Sequence, residues 1–293
     1  MQIQEELKKI IEKEKINLSE YRHASNFIAK YRQYAKLNPV QKKALDNLLP
    51  QYLNFLLKNL ELKGYSKKII EERTQLLNQY FDFMTENGYD NTFTSQGKFR
   101  PTIMEEFMYL LFKDLFLDIK KDLKDQHNLI NLGGVKAYTN LYFSAKNLKQ
   151  FVENPIIGIN NKNQDFAIYR PIDLKINNES VQKINLPIIA IENKTYIDKT
   201  MLEGSIATAE KIKSGNPYSL FFIVTETYEV DSSVDPAYSR IDQIFVLRKS
   251  KNKDDGNKIF PEVVFSIVKE VKEHLDRNWS NIEEKLKMNG KII

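Results

Sequence analysis

The chain has 293 residues, of which 42% are hydrophobic and 28% charged, so it can bury a substantial core and does not have the composition of a disordered protein. It contains no cysteine and only three histidines, far apart in the sequence, which excludes disulfides and thiolate zinc sites and argues against a histidine-centred catalytic triad. Any metal ion it binds is therefore expected to have oxygen ligands, as Mg²⁺, Mn²⁺ and Ca²⁺ do.

The positive charge is concentrated at one end of the chain. Residues 1–75 contain 15 Lys and Arg against 9 Asp and Glu, a net charge of +6, whereas the whole chain has +5. A basic N-terminal quarter is expected of a segment that lies on a polyanion such as nucleic acid, although a lysine-rich surface without a partner has the same composition. Charges are interleaved through the first 15 residues and no apolar run could span a bilayer, so a cytoplasmic protein is expected.

The N-terminal region has helical periodicity. Apolar residues recur every three or four positions through residues 2–87, which predicts helices throughout. Asn38 precedes a proline and should end one helix, Gly64 should end another, and Ser66 should cap the next. We therefore predict that residues 1–95 form a small all-helical domain, which binds either nucleic acid or another protein.

From residue 96 onward the pattern alternates between helix and strand. A long helix rich in Phe, Met and Leu comes first. The predicted elements are a helix over 101–121, a strand over 137–143 that follows Gly133-Gly134, a short helix over 146–152, strands over 166–176 and 187–196, a helix over 198–213, strands over 218–225 and 244–247, and a helix over 261–287. This order predicts an α/β domain, with helices packed on a sheet, over residues 96–293.

The predicted strand over 187–196 contains the first candidate site. Its apolar residues are followed abruptly by Glu192-Asn193-Lys194. Because strand side chains alternate, Glu192 and Lys194 should project from one face, about 6–7 Å apart along the strand. The carboxylate could bind a metal ion while the amine contacts a water molecule bound to it. For these two residues alone, an ion pair at the rim of a sheet is the simpler explanation.

An acid at the mouth of the preceding strand supports the metal hypothesis. If that strand pairs antiparallel with the next one, Asp165 and Glu192 meet, and two adjacent carboxylates repel unless a cation lies between them. A divalent cation fits there, and the backbone carbonyl of Asn193 would be a third ligand. Asp173, which follows Pro171 and Ile172, is an alternative to Asp165, and spacing alone does not choose between the two acids.

The pattern Asp165…Glu192-Asn193-Lys194 resembles the motif of the PD-(D/E)xK nucleases, although Gln164 replaces the proline of that motif. Longer segments resemble the subunits of BbvCI-type restriction endonucleases, which are heterodimeric type II enzymes. These segments are RPTIMEEFMYLLF at 100–112, QDFAI at 164–168, LPIIAIENKTY at 186–196 and IDQIFVLR at 241–248. The resemblance covers roughly residues 98–250, and the family acid corresponds to Asp165.

The resemblance implies a PD-(D/E)xK nuclease core, a mixed central sheet flanked by helices, over residues 96–293. It implies a type II restriction endonuclease that cuts double-stranded DNA with Mg²⁺ bound by Asp165, Glu192 and Asn193, and with Lys194 in catalysis. A cognate DNA methyltransferase is expected in the same system. Two alternatives remain: a structure-specific or nonspecific nuclease of repair or recombination, and a DNA-binding module without activity.

The resemblance also bears on assembly, and the periodicity of the helix over 101–121 suggests one further acid. The family pairs two related chains, but most oligomers are homomeric, so we expect a homodimer over a complex with a second subunit. On the helix over 101–121, a projection of 100° per residue places Glu106 at the edge of the apolar stripe and Glu105 on the opposite side. Glu106 is therefore the predicted additional catalytic acid, a candidate for binding a second ion, unless it merely meets solvent or a lysine.

Overall fold

The computed structural model describes residues 9, 21–93, 99–175, 182–252, 255–277, 279 and 282–288. The apolar positions predicted before residue 21 and the predicted domain boundary near residue 95 lie outside these ranges. Within the described ranges, no helix is long and apolar enough to cross a membrane.

The N-terminal region is helical, as predicted. Its described elements are α1 (Arg22–Arg32), a 3₁₀ turn (Tyr34–Lys36), α2 (Pro39–Glu61) and α3 (Lys67–Glu86). Local sequence sets the helix starts, because Asn38 and Gln41 form a capping box at α2 and the side chain of Ser66 caps α3. Ser66 therefore begins α3 as predicted, and α2 ends at Glu61, shortly before Gly64. The helix that was expected to end at Asn38 ends earlier, at Arg32, and a 3₁₀ turn follows it.

The rest of the chain alternates between helix and strand. Its described elements are α4 (Phe99–Asp122), a 3₁₀ helix (Lys124–Leu129), β1 (Asn131–Ser144), α5 (Leu148–Glu153), β2 (Ile156–Leu174), β3 (Gln182–Ile197), α6 (Lys199–Gly215), β4 (Leu220–Tyr228), a 3₁₀ turn (Pro236–Tyr238), β5 (Gln243–Val246), α7 (Pro261–Asp276) and α8 (Ile282–Met288). The backbone of Arg277 is extended (φ −82°, ψ 155°), so the single C-terminal helix predicted over 261–287 is wrong.

The first two strands are longer than predicted. β2 begins at Ile156, and its first half pairs with β1 alone. The two strands form an arm there, whose polar residues 160–163 are exposed. Such an arm does not need the apolar alternation from which the strand was predicted. Gly133 and Gly134 also lie inside β1, where they were expected to precede it.

The five strands form one mixed sheet in the order β1-β2-β3-β4-β5. The first three strands pair antiparallel, and β3, β4 and β5 pair parallel. Helices α4 and α7 cover one face of the sheet, and α6 covers the other. The predicted α/β class, with a mixed sheet between helices, is therefore confirmed.

The helical region and the sheet share one hydrophobic core. A single cluster contains Phe27 of α1, Leu48 of α2, Phe81 of α3, Phe107 of α4 and Phe166 of β2. Helix α4 lies at its centre and contacts α1, α3, α7 and three of the strands. The division into domains at residues 1–95 and 96–293 stays a prediction, and the two parts do not have separate cores.

Candidate active site

The antiparallel pairing of β2 and β3 brings Asp165 to the polar end of β3. Phe166 pairs with Ile191, so Asp165, which precedes Phe166, lies beside Glu192, which follows Ile191. Asp165 Oδ2 accepts a hydrogen bond of 2.8 Å from the backbone N–H of Asn193. Asp173 instead pairs with Lys183, roughly 26 Å further along β2 at the strand's rise per residue. Asp165 is thus the acid that lies beside Glu192-Asn193-Lys194.

A bulge in β2 occurs at Asp165. The register with β1 shifts between Gly133 and Val135, so that Asp165 and Phe166 together lie opposite Gly134. A Cβ atom on Gly134 would lie 3.3 Å from the carbonyl oxygen of Asp165, which is tighter than most such contacts. The bulge redirects the Asp165 side chain, and a glycine on the neighbouring strand permits the close approach of the two backbones.

Glu192 and Lys194 form an ion pair, but that pair leaves the carboxylate incompletely satisfied. Lys194 Nζ lies 2.7 Å from Glu192 Oε1. Glu192 Oε2 is buried and has no hydrogen-bond partner among the described residues. Buried carboxylate oxygens usually have a partner, so an unpartnered one beside a second carboxylate is consistent with a cation ligand.

The electrostatics of Asp165 point the same way. Burial raises the pKa of its carboxyl; the hydrogen bond from Asn193 and the charge of Lys194 oppose this rise, and the charge of Glu192 adds to it. A cation at this position would stabilise the ionised form. In the described part of the chain, no three Asp, Glu, His or Cys side chains are grouped closely enough to hold a metal ion by themselves. Two carboxylates with the Asn193 carbonyl therefore stay the predicted ligand set.

Glu106 does not face this site, so the prediction that it reaches the metal cleft is wrong. Its side chain is fully buried, and its Oε2 accepts hydrogen bonds from the backbone N–H groups of His23 at 2.8 Å and Ala24 at 3.1 Å. The hydroxyl of Tyr52 donates to its other oxygen at 2.8 Å. Helix α4 is buried on nearly every side, so its apolar stripe does not identify the side that faces the sheet.

Glu105 is the acid of α4 that lies on the cleft. It lines a cavity of about 400 Å³ together with Arg22, Tyr109, Lys136 and Asp165. Arg22 Nε lies 3.4 Å from Glu105 Oε2. Burial raises the pKa of Glu105 to about 7, and the charge of Asp165 adds to this effect while Arg22 opposes it.

Glu105 and Arg22 were not predicted from the sequence. The signal for Glu105 was a helix that is apolar all round yet contains two adjacent acids, since each acid then needs its own polar surroundings. No local signal distinguishes Arg22 from the other basic residues of the helical region, because its neighbours in the cleft are distant in sequence.

Comparisons with known proteins agree with the fold and the resemblance. A family model described as Bpu10I restriction endonuclease matches residues 96–255, more than half of the 293-residue chain. Among solved structures, a chain of the native BbvCI A2B2 tetramer at low resolution is similar, with a TM-score of 0.67 and 20% identity over 87% of this chain and 95% of that chain. At 20% identity this likeness concerns the fold. No curated protein matches the chain.

Proposed function

Because the chain belongs to the Bpu10I restriction endonuclease family, whose members are nucleases that act on DNA, we propose that it is a type II enzyme that cuts double-stranded DNA at a specific sequence. The observation that supports activity is the meeting of Asp165, Glu192 and Lys194 at one end of the sheet, with a buried, unpartnered oxygen on Glu192. A binding module without catalysis has no use for that arrangement.

Mg²⁺ is the proposed cofactor, held by Asp165, Glu192 and the backbone carbonyl of Asn193. The donors fit this ion, because all three are oxygens and hard divalent cations prefer carboxylate and carbonyl ligands. The unpartnered Oε2 of Glu192 also offers an open ligand position. When bound, such a cation supplies Lewis-acid polarisation of a phosphate and lowers the pKa of water.

The side chains of the site have separate roles in the proposed hydrolysis. Lys194 donates hydrogen bonds to the attacking water and offsets negative charge that develops on the phosphate. The water oxygen forms a bond to phosphorus and loses a proton to solvent, the bond from phosphorus to the leaving sugar oxygen breaks, and that oxygen takes up a proton from solvent. The N–H of Asn193 holds the Asp165 carboxylate in place throughout.

The proposed partners are DNA, a second chain and a methyltransferase. A chain with one such centre cuts one strand, so a double-strand cut requires two chains, either identical or related. The A2B2 composition of the BbvCI tetramer supports an assembly of more than one subunit here. The basic helical region is proposed to lie along the DNA backbone, and a cognate methyltransferase would protect the host sites.

A digestion of long, unmethylated DNA tests this function. The purified chain is incubated with the DNA and Mg²⁺, and parallel reactions contain a chelator or the Asp165→Asn variant. Discrete bands that require both the ion and Asp165 support a restriction endonuclease. A smear would mean a nonspecific nuclease, and intact DNA in every reaction would leave a binding module as the better explanation.

A further inference from the structure

Arg22 is the basic residue of the helical region that lines the cavity beside Asp165. It is the first residue of α1, and its side chain lines the cavity that also contains Glu105 and Asp165. Its side chain is 65% exposed, and Nε lies 3.4 Å from Glu105 Oε2. The guanidinium therefore faces the cleft while most of it stays accessible to a ligand.

Hydrogen bonds to the backbone and to the His23 ring hold the start of α1 in place, and they limit the positions that the Arg22 side chain can reach. Tyr21 supplies no side-chain cap to the helix, and the buried carboxylate of Glu106 caps it instead at His23 and Ala24. The ring of His23 lies between the hydroxyls of Thr102, at 2.7 Å, and Tyr80, at 2.9 Å. Because the next two residues are fixed by buried hydrogen bonds, the side chain of Arg22 projects from a rigid point.

The charges that line the cavity indicate that a basic side chain contacts the substrate there. Two carboxylates, Glu105 and Asp165, line this cavity, and Lys136 and Arg22 are the cations among its described lining residues. A DNA phosphate that enters beside two carboxylates is repelled unless cations offset them. The guanidinium fork suits a phosphate better than an ammonium group does, because it donates two parallel hydrogen bonds.

We propose that Arg22 contacts the phosphate at the cleavage position, so that the helical region contributes a substrate-binding residue to the active site. This inference rests on the proposed nuclease function. In the free protein Glu105 holds the guanidinium of Arg22 at the cavity. The incoming phosphate accepts hydrogen bonds from the N–H groups of this guanidinium that do not face Glu105. The competing explanation is an ion pair between Arg22 and Glu105 that only fastens α1 to α4.

The test compares Arg22→Ala and Arg22→Lys with Arg32→Ala, which removes an exposed arginine from the other end of the same helix. Three quantities are measured: single-turnover cleavage of plasmid DNA with Mg²⁺ at saturating protein, the salt dependence of binding to a duplex of about 30 base pairs without divalent ions, and urea unfolding. Arg22→Ala should slow cleavage by about 10²-fold, the scale of losing one transition-state donor, and lower the salt slope by about one.

The controls separate the two explanations. Arg22→Lys should recover part of the cleavage rate, Arg32→Ala should cleave like the wild type, and all three variants should unfold at the wild-type urea concentration. Equal cleavage by Arg22→Ala and Arg32→Ala, or a loss of cleavage that follows the loss of folded protein, would overturn the inference. If the wild type does not cut DNA, the proposed function fails, and a salt slope unchanged by Arg22→Ala would then overturn the phosphate contact separately.

Discussion

The carboxylate of Glu106 caps helix α1 at His23, a residue 83 positions earlier in the chain, through a hydrogen bond of 2.8 Å from the His23 backbone N–H. The first N–H groups of a helix have no partner within it, and a negative charge near them is favourable. This cap links the N-terminal helices to the helix beside the active site. A residue predicted to be catalytic therefore has a positioning role in the structure.

The stability of the protein should depend on pH through Glu106. Burial raises its pKa from 4.5 to about 7, so the folded chain holds this proton more tightly than the unfolded chain does. The contribution to stability is thus present below pH 4.5 and is lost as the pH rises to about 7, by up to about 3 kcal/mol. Glu106→Gln keeps an oxygen that accepts the backbone hydrogen bonds, but its amide does not titrate. Its free energy of unfolding should therefore fall less than that of the wild type between about pH 5 and pH 8. The assignment is contradicted if the free energy of unfolding, measured with urea, falls by the same amount with pH in both proteins.

Cleavage should depend on Asp165 of β2 and on Glu192 and Lys194 of β3. We expect Asp165→Asn, Glu192→Gln and Lys194→Met each to reduce the single-turnover cleavage rate by at least about 10²-fold, while DNA affinity changes only a few-fold. Asp173→Asn is the matched control, because Asp173 lies at the far end of the same strand. The assignment is wrong if Asp173→Asn loses activity and Asp165→Asn retains it.

A buried cluster of charges should stabilise the contact between the start of α4 and β4. Glu226, with a side chain 3% exposed, accepts hydrogen bonds from Arg100 Nε and Nη2 at 2.7 Å and from Arg248 Nε at 2.8 Å. Glu226→Gln should cost about 2–4 kcal/mol in urea unfolding, because it removes the carboxylate that Arg100 and Arg248 share and leaves Arg100 with Asp90 alone. Glu262→Gln, which breaks the exposed pair with Lys249, should cost less than about 1 kcal/mol. Equal losses of unfolding free energy in the two variants would show that the buried cluster stabilises the protein no more than the exposed pair does.

The contribution of the helical region to DNA binding should be measured by substitution. Deletion of residues 1–90 is expected to prevent folding, because these residues share one core with the sheet. Neutralising the exposed Lys36, Lys43 and Lys67 together keeps that core intact. If they lie on DNA, the slope of log affinity against log salt should fall by about 0.9 for each lost phosphate contact. An unchanged slope would favour a protein-interaction role for these helices.

The number of chains in the active assembly should decide the product from supercoiled plasmid. We expect a homodimer by light scattering, with and without DNA, and a linear product, since two symmetric centres cut both strands of a symmetric site. A monomer that nicks one strand, and always the same strand, would mean that a related second subunit is required.

Features that depend on neighbouring residues in the chain were predictable from the sequence. Ser66 begins a helix, as predicted, because its side chain hydrogen bonds to a backbone N–H within one turn. Strand side chains alternate, so the abrupt polar end of β3 predicted that Glu192 and Lys194 share one face, where the structure pairs them. The α/β order of elements determined the fold class for the same reason, since each element has its own short-range period.

Contacts between distant parts of the chain decided which residues meet in the cleft. Spacing did not choose between Asp165 and Asp173; the family resemblance favoured Asp165, and the register of β2 against β3 brings Asp165 beside Glu192. The period of α4 shows which residues are apolar but not which neighbour covers each side, so Glu106 was chosen where Glu105 lies on the cavity. Arg22 could not be predicted at all, because its position depends on hydrogen bonds between α1 and α4 that span more than 70 residues, and chain-local periodicity contains no information about contacts at that separation.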